Sequence, residues 1–240
     1  DNVLKTSMEL GGNAPLLVFD DADLDTAVDA AMLAKFRNTG EACTAANRFF
    51  VQDGIADAFV AALTAKVDAL RVGRGTEDGT TLGPLIDDRA VDKAAGLVDD
   101  AVGRGARLVT GGHRIDRPGT FYEATVIDDV QPGSEIMTTE IFGPVASVTR
   151  FSTEDEGIRL ANDTEYGLIA YAFTTDFRRG QRLAERLETG MLGLNTGVVS
   201  NAAFPFGGVK SSGLGREGAH EGIEEYLETV YVLTPDPFAA

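Results

Sequence analysis

The chain has 240 residues, 43% of them hydrophobic and 25% charged, which suits one large α/β domain or two smaller ones with a sizeable core. Its net charge of −17 argues against nucleic acid and anionic membrane surfaces as partners, because both recruit clustered Lys and Arg. An anionic ligand would meet a repulsive field, so a site for one needs local arginine. No apolar run approaches bilayer length and no basic stretch leads into an apolar one at the start. With a single cysteine besides, a reducing cytoplasm is the expected compartment.

Strand and helix alternate along the chain. Pro15-Leu16-Leu17-Val18-Phe19 reads as a buried strand, and the acidic run from Asp20 opens an Ala-rich helix through Ala34. Arg48-Phe49-Phe50-Val51 predicts a second strand. Ile55, Phe59, Ala62, Val67 and Leu70 carry helical spacing over 55–70. A loop over 73–84 precedes a helix over 88–103. Strands are expected at 107–110, 122–127, 145–151, 169–174 and 191–194, with helices over 154–161 and 177–187. This alternation predicts a three-layer α/β fold around a mostly parallel sheet. The last segment, 225–234, reads as an isolated strand suited to pairing with a second subunit.

Cys43, the only cysteine, cannot form an intrachain disulfide, so it is either packing or a reactive thiol. Glu9, between Met8 and Leu10-Gly11-Gly12, could serve as a separate general base for thiol chemistry. A catalytic Cys43 is expected to alkylate faster than a free cysteine, and a packing one hardly at all. His113 and His220 have no ligand spacing with the cysteine, so no metal site is expected. Gly213-Leu214-Gly215-Arg216-Glu217-Gly218 matches G-x-G-x-x-G literally. It follows a loop, not a strand, and no acid stands about twenty residues on, so it is not a dinucleotide fingerprint.

Four stretches stand in one order: Met8-Glu9-Leu10-Gly11-Gly12, the segment 36–43 ending Gly40-Glu41-Ala42-Cys43, Glu140-Ile141-Phe142-Gly143-Pro144, and 205–217. Together they resemble the C-terminal half of the NAD(P)-dependent aldehyde dehydrogenase superfamily, over essentially the whole chain. Lys35-Phe36-Arg37-Asn38, Asn195-Thr196-Gly197, Ser200-Asn201 and 213–218 are most similar to the succinate-semialdehyde dehydrogenases within it. The resemblance implies a catalytic domain over 13–212, preceded by the end of a cofactor domain (1–12) and followed by a return loop and oligomerisation strand (213–240). It implies Cys43 as nucleophile and Glu9 as the base that activates water. Glu140, Phe142 and Leu10 would face the NAD or NADP cofactor, and Arg37 and Ser200 the far carboxylate of a small aldehyde. Asn195 and Lys210 fall on signature positions that shape loops. The implied assembly is a homodimer or homotetramer.

For Arg37 the physics agrees, since a guanidinium fork recognises carboxylate bidentately; the structural alternative is an ion pair with Glu41, one helical turn away. The resemblance also places the Gly-rich cofactor turn and a second oxyanion donor upstream of residue 1. Two further departures matter. Glu41 stands where the family usually has Gln and is expected to point away from the thiol, and Ala45 removes a second cysteine that some members carry.

Overall fold

In the computed structural model, which describes residues 2–235, the predicted alternation is present. A short strand β1 (Met8–Glu9) precedes β2 (Ala14–Val18), α1 (Leu24–Phe36), β3 (Ala46–Gln52) and α2 (Asp53–Asp68). Then come α3 (Asp88–Gly103), β4 (Arg107–Thr110), β5 (Thr125–Asp128), β6 (Val145–Phe151) and α4 (Glu154–Asn162). The chain continues through β7 (Tyr166–Gly167), β8 (Ile169–Phe173), α5 (Phe177–Arg186), β9 (Met191–Leu194), β10 (Val209–Lys210), β11 (Gly213–Leu214) and α6 (Glu221–Glu224).

Seven strands form one sheet in the order β4-β5-β6-β3-β2-β8-β9, parallel throughout except for the antiparallel edge pair β4–β5. Its central strands are covered on both faces, which is why β2 and β8 read as unbroken apolar runs. On one face Leu16, Val18, Phe49, Val51 and Tyr171 pack with α1 and α2 residues such as Val28, Ala31, Phe59 and Leu63. On the other, Leu17, Phe50, Ala170 and Ala172 meet Ile158 of α4 and Leu183 of α5, with Phe19 and Phe151 edge-on at 5.4 Å. A third cluster joins Val91, Leu97 and Val98 of α3 to Ile127 and Val145.

Two boundaries differ from the sequence reading for local reasons. The first helix begins at Leu24, not Asp20, because Asp23 is its N-cap and accepts from Thr26 N at 2.8 Å. Asp21 turns away to collect the backbone N–H groups of Thr175 and Asp176 and the Arg179 guanidinium. The strand expected from Tyr122 begins at Thr125, because Tyr122 instead bridges Arg114 and donates its hydroxyl to the Gly112 carbonyl at 2.9 Å. At the C-terminus the segment 225–234 forms no strand within the chain. It is exposed, since both edges of the main sheet lie elsewhere and a lone strand has nothing to pair with. Among the described residues no helix is long and apolar enough to cross a membrane.

Two antiparallel ribbons were not anticipated, β1 with β11 and β7 with β10. The first brings the chain's beginning against the Gly-rich loop near its end, pairing Met8 with Leu214 and Glu9 with Gly213.

Arg48, on β3, is 1% exposed and, among the described residues, has no carboxylate within bonding distance. Its guanidinium instead donates to three carbonyls, Asn13, Leu160 and Ala161, each at 3.0 Å. Two of these belong to the last turn of α4, where the helix dipole is negative, and the ring of Phe50 lies 5.4 Å beneath. Burial pushes the Arg48 value down to about 10, so the group stays charged at neutral pH. Replacing it leaves three buried carbonyls without a donor. Arg48→Met is expected to lower the unfolding free energy from urea titration by about 3–5 kcal/mol, against under about 1 kcal/mol for the exposed control Arg89→Met.

Candidate active site

Three segments distant in sequence converge at the N-terminal ends of β2, β3 and β6. Glu9 is placed by the β1–β11 ribbon, reinforced by Leu10 N donating to Ser212 O at 3.1 Å and Ser212 Oγ donating to Gly11 O at 2.8 Å. Gly213 has φ +131° and faces the Met8 carbonyl with no room for a side chain, which is why the ribbon needs glycine there. Cys43 sits in the turn that follows α1. Asn38 and Thr39 adopt left-handed conformations (φ 52° and 59°), and Ala45 N donates to Ala42 O at 2.9 Å to close the turn around the thiol. Glu140 arrives from the loop ahead of β6, where its Oε1 accepts from Gly12 N at 3.0 Å.

The Gly11-Gly12 pair makes this packing possible. A Cβ on Gly11 would stand 2.7 Å from Glu140 Oε2, and one on Gly12 would stand 2.9 Å from the Cys43 carbonyl oxygen. The two glycines therefore let the nucleophile turn and the Glu140 carboxylate lie on one backbone strap.

The electrostatics are those of a resting thiol. Desolvation and the neighbouring Glu9 carboxylate push the Cys43 thiol up to about 11, with Glu140 adding to the same effect. Burial also raises Glu9, the hydrogen bond from the Cys43 thiol partly offsets this, and Glu217 and Glu140 raise it further. Glu9 Oε1 is buried without a hydrogen-bond partner. Glu9 and Glu217 line a pocket of about 30 Å³, room for one or two waters. These shifts favour the protonated thiol, against the expectation of fast alkylation, and thiol labelling decides between the two. A thiol surrounded by carboxylates and partly desolvated disfavours the thiolate until something removes the negative field.

Arg37 is exposed and makes no ion pair with Glu41, whose Oε1 accepts from Ile86 N at 3.0 Å and so points away from the thiol as expected. The Arg37 charge instead reaches Tyr171, which in turn senses Cys43. Leu10 is exposed directly beside Glu9, and Ser200 is exposed in the loop after β9. Phe142 is half-buried in a left-handed conformation (φ 49°), with Lys93 Nζ 5.9 Å from its ring. Glu9, Cys43 and Glu140 are therefore brought together. Asn195 joins β8 to β9 by exchanging two hydrogen bonds with the Thr174 backbone, and Lys210 donates to the Asn162 and Thr164 carbonyls. Among the described residues no group of three or more His, Cys, Asp or Glu is arranged to hold a metal ion.

Four residues near the site escaped sequence reasoning: Lys35, Arg48, Tyr171 and Glu217. Lys35 is fully buried and donates to Asn47 Oδ1 at 2.9 Å; burial pulls it down to about 7 while Glu140 opposes that shift. A Lys and an Arg placed inside otherwise apolar runs, in Ala34-Lys35-Phe36 and Asn47-Arg48-Phe49, were the available signal.

The description "Aldehyde dehydrogenase family" matches residues 1–232. The chain belongs to the aldehyde dehydrogenase family. It is 56% identical over 99% of its length to a succinate-semialdehyde dehydrogenase of Paenarthrobacter nicotinovorans, covering 53% of that protein. It is 53% identical over 97% of its length to a 3-sulfolactaldehyde dehydrogenase of Pseudomonas putida, covering 48% of it. A crystal structure of an E. coli NADP-dependent enzyme superposes with a TM-score of 0.92 at 50% identity, over 93% of this chain and 47% of that one. The chain thus spans about half the length of the curated relatives it matches.

For this aldehyde dehydrogenase chain the single cysteine makes thiol reactivity a clean readout. Iodoacetamide labelling followed by mass spectrometry is expected to be slow near pH 8, roughly a hundredfold below a free cysteine, and to climb toward pH 11. Glu9→Gln deletes the charge that holds the proton on sulfur, so its labelling profile should move to lower pH. A profile identical to the wild type would show that Glu9 does not face the thiol.

Proposed function

We propose that this chain carries the catalytic half of an NAD(P)-dependent aldehyde dehydrogenase that oxidises a short aldehyde bearing a distal anionic group, succinate semialdehyde foremost. The observation that carries the reading is the Cys43 thiol set against the Glu9 carboxylate, with Glu140 bound to the same glycine strap.

The residues present have the chemistry the reaction needs. Glu9 can accept the thiol proton as Cys43 Sγ attacks the aldehyde carbon, forming a thiohemiacetal whose oxygen faces the Cys43 backbone N–H. A nicotinamide held beside Glu140 and Leu10 would supply the hydride acceptor for oxidation at the thiol-bound carbon. Glu9, with its unpartnered Oε1 beside a water-sized pocket, gives that first proton up to solvent and then takes one from water as the water oxygen attacks the acyl carbon; the C–S bond breaks, the carboxylic acid leaves, and Glu9 returns the proton to the Cys43 thiolate. That unpartnered oxygen favours hydrolysis over transfer to coenzyme A, because an incoming thiol has less need of a water-activating base.

The cofactor fits the acids at hand. Glu140 uses one carboxylate oxygen on Gly12 N, and Oε2 has no hydrogen-bond partner among the described residues, which suits it to accept from a ribose hydroxyl. Leu10, exposed beside Glu9, and Phe142 offer apolar surface for the nicotinamide side. NAD and NADP both fit these contacts, and the named E. coli neighbour uses NADP.

Arg37 supports the choice of an acidic substrate. It is a guanidinium without an ion-pair partner among the described residues, on the turn that holds the nucleophile, in a chain of net charge −17. Ser200 would add one hydroxyl donor. Two named relatives share the demand, since succinate semialdehyde and 3-sulfolactaldehyde both carry an anionic end. The exposed Tyr226, Leu227, Val230, Tyr231, Val232 and Leu233 of the tail suit a homo-oligomer in which this segment adds a strand to a partner's sheet.

The decisive assay places this chain behind a family N-terminal half and follows nicotinamide reduction with succinate semialdehyde and an uncharged aldehyde of similar length. Cys43→Ala should abolish turnover. Arg37→Ala should lower kcat/KM for the acid by about 10²–10³-fold while leaving the uncharged aldehyde nearly unchanged. Equal treatment of both aldehydes by wild type would refute the substrate assignment. Removing 225–235 should convert the assembly to a smaller species in light scattering, with an unchanged mass counting against the tail as an interface.

A further inference from the structure

Tyr171 is 2% exposed in the middle of β8, yet its hydroxyl leaves the core to donate to the backbone carbonyl of Thr44 at 2.9 Å. Thr44 is the residue after Cys43 and is itself buried. The turn that carries the thiol is thus held on two sides. On one side the Cys43 carbonyl lies so close to Gly12 that no side chain fits between them, and on the other the Tyr171 hydroxyl holds the next carbonyl.

The ring has been given its place by a neighbouring vacancy. Tyr171 pairs with Leu16 on β2 and with Gly193 on β9. A Cβ at Gly193 would lie 2.8 Å from Tyr171 Cδ1, and 3.1 Å from both the Thr196 carbonyl and Val199. The glycine therefore admits the ring and lets the 196–199 loop close over it. Arg37, at the start of the same turn, is near enough for its charge to act on the phenol. One buried phenol thus touches the nucleophile turn through its hydroxyl and the base of the loop that bears Ser200 through its ring.

We propose that Tyr171 is a positioning residue for the nucleophile: its hydroxyl on the Thr44 carbonyl fixes where the Cys43 thiol lies against Glu9. The inference rests on Cys43 being the reactive thiol. Losing the hydroxyl strands a buried carbonyl, and the turn must move toward water to solvate it. That movement carries the thiol away from Glu9.

Tyr171→Phe tests this without altering charge, because the phenol, pushed up by burial to about 12, is neutral over the range of interest. Glu9 and Glu140, whose charges act on Cys43, and Arg37, whose charge acts on Tyr171, all remain. Only a change of geometry can then shift the thiol. The measurement is the pH profile of Cys43 alkylation in this chain, with the melting temperature recorded alongside. The expected result is a folded variant whose profile lies about one pH unit lower, seen as about tenfold faster labelling at pH 8. A purely structural role would lower the melting temperature and leave the profile in place, which would overturn the inference. Gly193→Ala pushes the ring from the opposite side and should shift the profile in the same direction. It serves as the deciding variant if Tyr171→Phe fails to fold, and an unshifted profile there also refutes the proposal. Failure of the underlying site looks different: wild-type Cys43 would label like a free cysteine, and Glu9→Gln would change nothing.

Discussion

The arrangement depends on one buried cation that has no counter-ion. Arg48 sits on β3, five residues beyond the thiol, and its guanidinium binds the carbonyl of Asn13 and the last-turn carbonyls of α4. Asn13 ends the strap that begins at Glu9, and its side chain donates to Met137 O at 2.9 Å, at the start of the loop that delivers Glu140. A planar fork with several donors can satisfy three carbonyls at once, whereas a lysine has no fixed geometry to do so. The strand of the nucleophile, the strap of the base and the helix behind them are thus tied through a single side chain. An arginine bound to carbonyls leaves the site's acids free of a strong cationic partner at that point.

That freedom shapes the chemistry. Burial, Glu9 and Glu140 push the Cys43 thiol upward, and burial with Glu217 and Glu140 pushes Glu9 upward in turn. In the proposed reaction such a site discourages stray alkylation and disulfide exchange, and becomes reactive when an electrophilic carbon and a cationic ring enter it. Among the nearby cations, Lys35 is fully buried on Asn47 and Arg37 stands exposed at the head of the nucleophile turn. The division suits one internal charge that counters Glu140 and one outward charge that can meet an anionic substrate.

The glycines explain why the motif has its form. Gly11, Gly12 and Gly213 each mark a place where two backbones, or a backbone and a carboxylate, come closer than a side chain allows. Read in sequence they look like loop residues. In the fold they are contact points, and Gly193 does the same service for the ring of Tyr171.

Much of this was written locally. The apolar runs of β2 and β8, the helical spacing of α2 and the acidic caps depend only on neighbours in the chain, so the layered α/β fold could be read directly. Cys43, Glu9 and Glu140 could be selected as a group because their flanking motifs are local as well. Tertiary structure alone decided that Asp21 serves the α5 end of the molecule, that 225–234 forms no strand within the described chain, and that two carboxylates stand beside the one thiol. Each of those outcomes depends on groups far away in sequence: hydrogen-bond donors at 174–179, a pairing partner outside the sheet, and the ribbon and glycine strap that bring positions 9 and 140 to Cys43. Pairings over such distances leave no periodic trace. Arg48 and Tyr171 therefore read as misplaced polar residues in apolar strands until the carbonyls they hold are seen.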